Sequence, residues 1–162
     1  MNSAFSATRV VLIGASNLSL AFPDVLDAAR ALWGGPLEVL AAHGLGRSYG
    51  IPTRVLGREL PGILECGLWP ALEALEPRPA VALLTDPGND IAYQVPVERI
   101  AGWMRETVLR LERAGARIVV TRPPLASLET ARGRSPTTTS ERARTSSTGD
   151  CASSLASAGS KS

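Results

Sequence analysis

Apolar positions alternate between short runs and helical stripes along the first three quarters of the chain. Residues 9–13 begin at Arg9 and continue as the β-branched-rich run Val-Val-Leu-Ile, closed by Gly14, the pattern of a strand buried on both faces. Beyond it, Leu18, Phe22, Val25, Leu26, Ala29 and Leu32 recur at helical spacing and predict one apolar helix face within 17–33. Pro23 falls inside that stretch, so the helix is expected to start near it, with 19–22 as a turn and Gly34-Gly35 as the stop. Residues 36–42 read as a second strand. Residues 43–62 are rich in Gly and turn signals and predict a long loop, a kind of segment that often carries function on an α/β domain. A short helix is expected over 70–76, and 80–90 read as a third strand running into a turn. Val97, Ile100, Met104, Val108 and Leu111 mark a helix over 96–113 that opens at Pro96 and closes at Gly115. Residues 116–124 read as a fourth strand. Strands alternating with helices imply βαβ units, a parallel sheet and ligand sites beyond the carboxyl ends of its strands.

The pattern stops at Glu129. Ser, Thr and Arg dominate the remainder, and Leu155 is its only large aliphatic residue, too little apolar surface to fold. The organisation expected is a domain over 1–128 and a Ser/Thr/Arg-rich disordered tail over 129–162. Lys161 is the only lysine among 17 basic residues, a bias that hints at GC-rich coding DNA. The tail thus reads either as a natural low-complexity extension or as the product of a shifted reading frame.

The net charge of +2 changes meaning once it is divided. From Thr130 onward five basic residues face two acidic ones, so the tail holds +3 and the body −1. The body shows no nucleic-acid footprint. No apolar run reaches membrane-spanning length, and no basic segment followed by an apolar stretch opens the chain, so neither membrane insertion nor a signal peptide is expected. Cys66 and Cys151 are isolated thiols without metal-ligand spacing, which favours a reducing compartment, by default the cytoplasm, and no bound metal. Nothing fixes the oligomeric state.

Three segments stand just past the first three strands: Gly14-Ala15-Ser16-Asn17, His43-Gly44-Leu45-Gly46-Arg47-Ser48 and Asp86-Pro87-Gly88-Asn89-Asp90. Each has a bland local reading. Ser16 or Asn17 can cap the following helix. Gly44, Gly46 and Gly50 can serve a tight turn, and Asn89 with Asp90 can form an Asx turn. Asp86 and Asp90 alone are weak evidence for Mg²⁺. The first block lacks the Gly-x-Gly-x-x-Gly fingerprint, and no Walker-type loop occurs, so no nucleotide cofactor is expected.

Taken together and in this order, the three blocks resemble the SGNH (GDSL-like) hydrolases over residues 9 to about 125. That resemblance implies a three-layer α/β/α sandwich with a doubly wound, flavodoxin-like parallel sheet. It further implies that Ser16 is a nucleophile toward an ester or thioester, with the Ser16 and Gly46 N–H groups and the Asn89 amide as the oxyanion hole. Gly44 and Asp90 would support the loops. Ala15 stands where the family most often has Asp, and Pro87 where it has the first Gly of Gly-x-Asn-Asp. The family's C-terminal Asp-x-x-His is absent, and with it, on this reading, the last strand and helix. His43 is the only histidine, either a substitute base, with Asp86 or Asp90 to orient it, or a pocket residue. The expected partner is a small-molecule ester. Two rivals remain open: a catalytically incomplete member of the same fold, and a non-catalytic module for small molecules or anions.

Overall fold

In the computed structural model, which describes residues 7–85 and 87–121, strand β1 (Thr8–Ile13) follows the apolar run. The chain then turns at Gly14 into two helices instead of one, α1 (Ser16–Leu20) and α2 (Phe22–Trp33), joined at Ala21. Pro23 lies in the first turn of α2, as its fixed φ and missing N–H favour. The turn expected over 19–22 is therefore confined to Ala21, and Ser19 and Leu20 are helical. Leu32, counted in the apolar stripe, is exposed near the end of α2.

Strand β2 (Leu37–Ala42) leads into the long segment expected to be a loop. That segment contains an antiparallel hairpin, β3 (Thr53–Val55) with β4 (Arg58–Leu60). Its tip, Leu56 and Gly57, has positive φ at both positions, the requirement of a type I′ turn. A 3₁₀ turn (Ile63–Glu65) precedes α3 (Leu68–Glu73), which starts and ends earlier than the helix expected over 70–76. Strand β5 (Ala80–Leu84) is followed by α4 (Gly88–Ala92), a helix where a turn was expected. The strongest stripe becomes α5 (Val97–Arg113), and β6 (Ala116–Val120) ends the described regular structure. All described residues belong to one compact unit. The expected tail over 129–162 and the boundary before it lie outside them.

The protein is α/β, with a four-stranded parallel sheet in the order β2-β1-β5-β6. Alternate residues of β1 feed two apolar clusters. Val10 and Leu12 join Leu18, Phe22, Val25 and Leu26 of α1 and α2. Val11 and Ile13 join Leu68, Trp69 and Leu72 of α3 and Leu111 of α5. Burial on both faces is why the strand reads as a continuous apolar run. Among the described residues, no helix is long and apolar enough to cross a membrane.

The register sets the site. Ile13 is level with Ala42 on one side and Leu84 on the other. The ladder runs one step further, with Gly14 N donating to Ala42 O (3.0 Å) and Thr85 N to Ile13 O (2.9 Å). The three segments singled out in the sequence thus leave the sheet at one level. They do so where successive connections diverge to either side of β1, the crevice in which open α/β sheets bind ligands.

Candidate active site

Ser16 is the first residue of α1, not its cap. The N-cap position is Ala15, and no side chain caps the helix. The hydroxyl instead faces across the rim of the sheet. Gly46 N donates to Ser16 Oγ at 3.2 Å and Asn89 Nδ2 at 3.3 Å. The Asn89 amide is fixed in turn, because Nδ2 also donates to Arg47 O at 3.0 Å. Ser16, Gly46 and Asn89 are separated by up to 73 residues in sequence yet share one set of hydrogen bonds. Two N–H donors converging on a half-buried hydroxyl form a polarising environment, and they are placed to hold negative charge next to that oxygen.

The local fold explains how Gly46 comes to present its N–H. Its φ is +69°, and a Cβ there would lie 2.4 Å from Val55 Cγ2 of the hairpin. Only glycine combines that backbone with that proximity. Its carbonyl accepts from Tyr93 Oη at 2.7 Å, a clamp that an exposed tyrosine at the end of α4 gave no reason to expect from sequence. Gly44 fits under Leu60, at 3.0 Å from a Cβ built on it, and accepts from Arg47 N at 3.2 Å. Buried Arg47 ties the loop to itself, donating to His43 O and Pro61 O, both at 3.2 Å. Gly50 is pressed against the Trp103 ring, which leaves no room for a side chain.

Asp90 lies under this loop. It is fully buried in the first turn of α4, and its carboxylate accepts from Ser48 Oγ and from Tyr49 N, the latter at 3.1 Å. Ser48 Oγ accepts in turn from Gly50 N and Ile51 N, both at 3.1 Å. Tyr49 Oη donates to Thr85 O at 2.5 Å, which fastens the loop to the end of β5. Asn89 and Asp90 therefore belong to a helix, not to a free Asx turn. Asp90 is committed to the loop and does not orient His43; Asp86, the other carboxylate considered for that task, lies outside the described residues. Among the described residues no group of three or more His, Cys, Asp or Glu could hold a metal ion.

His43 is on the rim, but its described bond runs elsewhere. Its Nδ1 is 2.9 Å from Ser19 Oγ, and the ring stacks on Phe22 with centroids 4.5 Å apart. Ser19 Oγ is also 3.0 Å from Ala15 O. With the single hydroxyl proton on that carbonyl, Nδ1–H donates to Oγ and Nε2 is left as the acceptor. Burial, and secondarily the neighbouring Arg47 guanidinium, push the ring below its ordinary 6.5. A lowered value means that the unfolded chain takes up the proton first, so this contribution to stability is complete above about pH 6.5 and is lost as pH falls through the folded value. The sole histidine should therefore titrate in NMR with a midpoint below 6.5, and His43→Asn should remove part of the acid destabilisation. A midpoint at or above the free value would contradict this environment.

The apolar residues of the long segment divide. Leu56 at the hairpin tip is 89% exposed, while Ile51, Val55 and Leu60 are partly covered. No family model, curated protein or solved structure matches this chain.

Proposed function

We propose that the rim built by Ser16, Gly46 and Asn89 is the nucleophile and oxyanion half of an SGNH-type serine hydrolase acting on a small-molecule ester or thioester. One observation carries this reading: a backbone N–H from the loop after β2 and a side-chain amide from α4 converge on a serine hydroxyl that caps nothing. In this reading Ser16 Oγ attacks the acyl carbonyl and its proton passes to water; the alcohol or thiol leaves with a proton, and a water molecule then releases the acyl group as the acid. The carbonyl oxygen, as charge grows on it, takes over the hydrogen bonds that Gly46 and Asn89 make to Oγ at rest. The flavodoxin-like three-layer arrangement belongs to the same proposal, supported by the strand order and by apolar clusters on both faces of the sheet. A cytoplasmic location is supported by the scarcity of cysteine.

A second reading has its own observation. Among the described residues no base bonds Ser16 Oγ, and the described polar partner of His43 is Ser19. A rim of this kind without a proton acceptor would bind an acyl oxygen and turn it over slowly or not at all. The two readings separate on one experiment. The purified chain and its Ser16→Ala variant are exposed to a fluorophosphonate and to a short activated ester. Labelling and hydrolysis that both vanish in the variant establish a working nucleophile. Labelling without hydrolysis identifies the incomplete site. Equal behaviour of the two proteins removes Ser16 from any chemistry.

A further inference from the structure

A cavity of about 740 Å³ opens at the amino-terminal ends of the strands, the pole opposite Ser16. Arg9 reaches it from β1, Arg78 from the approach to β5, and Arg110 and Arg113 from the last turns of α5. Three of these guanidinium groups are held in place by bonds that leave at least one nitrogen uncommitted. Arg9 donates through Nε to Glu38 (2.6 Å) and through Nη1 to Glu76 O (3.0 Å). Arg110 donates through Nε to Glu106 (2.8 Å) and through Nη1 to Leu64 O (2.8 Å). Arg78 donates through Nη1 to Ala7 O (3.2 Å), with its Nε 3.8 Å from the same Glu38 carboxylate.

Arg9 adds a buried positive charge to the wall of this cavity. It is 2% exposed, and its Nη2 is buried with no hydrogen-bond partner among the described residues. An orphaned donor on a buried charged group is rare and calls for a partner. Glu38 is shared by two guanidinium groups and Glu106 is engaged by Arg110, so the four arginines outnumber the carboxylates around them even with Glu73 on the wall counted. Planar guanidinium groups fixed in advance are the favoured partners of phosphate oxygens. Trp69 and Leu72 supply an apolar wall beside them.

We propose that this cavity binds a phosphate group, free or carried by a small organic molecule, with Arg78 and Arg110 as its principal donors and the buried charge of Arg9 behind them. The site is independent of the rim that carries Ser16, and its occupancy requires no chemistry there.

The test titrates the full chain with inorganic phosphate and, separately, phenyl phosphate at constant ionic strength. Amide and arginine Nε–H signals are followed by NMR. Saturable shifts confined to Arg9, Arg78, Arg110 and the 114–115 amides are expected. Arg78→Gln should weaken binding by about tenfold, the effect of one lost charge-assisted hydrogen bond. Arg113→Gln, at an exposed position, should weaken it by a smaller factor and guards against a fold defect in the first variant. Tighter binding of phenyl phosphate identifies an organic phosphate as the ligand, and equal binding identifies the free anion; either supports the site. No saturation by roughly 10 mM, beyond the millimolar range of weak ligands, overturns it. So do shifts spread over surface arginines such as Arg54 and Arg58, or a folded Arg78→Gln chain that binds phosphate as tightly as the parent.

Discussion

On the proposed reading, Asn89→Ala should lower the rate at which Ser16 reacts with an activated ester or a fluorophosphonate by about 10²–10³-fold, the measured cost of removing one oxyanion donor elsewhere. Its effect on stability is much smaller. The side chain is half-buried, and its amide donates to Arg47 O and to Ser16 Oγ and accepts a long bond from Ser16 Oγ at 3.4 Å, all between neutral groups. Losing them costs on the order of 1–2 kcal/mol. A domain stable by roughly 5–15 kcal/mol remains folded after such a loss, so the fall in rate cannot come from unfolded protein. Urea unfolding of parent and variant beside their labelling rates makes the comparison. Comparable losses in stability and rate would mean that Asn89 is a strut for the 43–51 segment and nothing more. The Gly46 N–H cannot be tested as directly, since any side chain at that positive φ meets Val55 and displaces the loop with the donor.

The parts legible in the sequence were those written locally. A run such as Val10 to Ile13 has to be buried on both faces, and the stripe from Ile100 to Leu111 admits one helix face, so the parallel sheet and α5 followed from periodicity. The grouping of Ser16, Gly46 and Asn89 was legible for a related reason: each stands just after a strand, and parallel strands in register bring their ends together. What periodicity cannot register is anything shorter than its own window. β3 and β4 have three residues each, with Arg54, Arg58 and Glu59 among them, and the hairpin is specified by its tip instead of by an apolar pattern. α4 was hidden because Pro87-Gly88-Asn89-Asp90 is turn chemistry by composition, although Pro directly before a helix is compatible with its start.

Ser16 marks a different limit. A serine just past a strand at the start of a helix is locally indistinguishable from a cap, and only the direction of its hydroxyl decides. That direction is set by Gly46 and Asn89, 30 and 73 residues away. Tyr93 and the four arginines at the other pole were invisible for the same reason. An exposed tyrosine and scattered arginines carry no pattern, and their meaning lies in the groups that meet them.

Asp90→Ala should be the most destabilising change at the rim, by about 3 kcal/mol, because it strips partners from groups that water cannot reach. Tyr49 N–H loses its described acceptor, and Ser48 Oγ–H loses the carboxylate to which it donates. For a domain of this size the melting temperature should fall by roughly 10–15 °C. Asn at position 90 offers only a partial repair, since one of its two polar atoms is a donor and would face groups that already donate. It should stand between parent and alanine. Ser48→Ala removes the other end of the same bond, so its cost and that of Asp90→Ala should add to less than their sum in the double variant. The chemistry should follow the loop. The segment held by Asp90 adjoins Gly46 and Arg47, which supply a donor to Ser16 and an acceptor to Asn89, so the labelling rate should fall along with the melting temperature. Asn89→Ala separates those two readouts where Asp90→Ala moves them together. A melting temperature for Asp90→Ala within a few degrees of the parent would mean that Arg47, through its bonds to His43 O and Pro61 O, is what holds the loop.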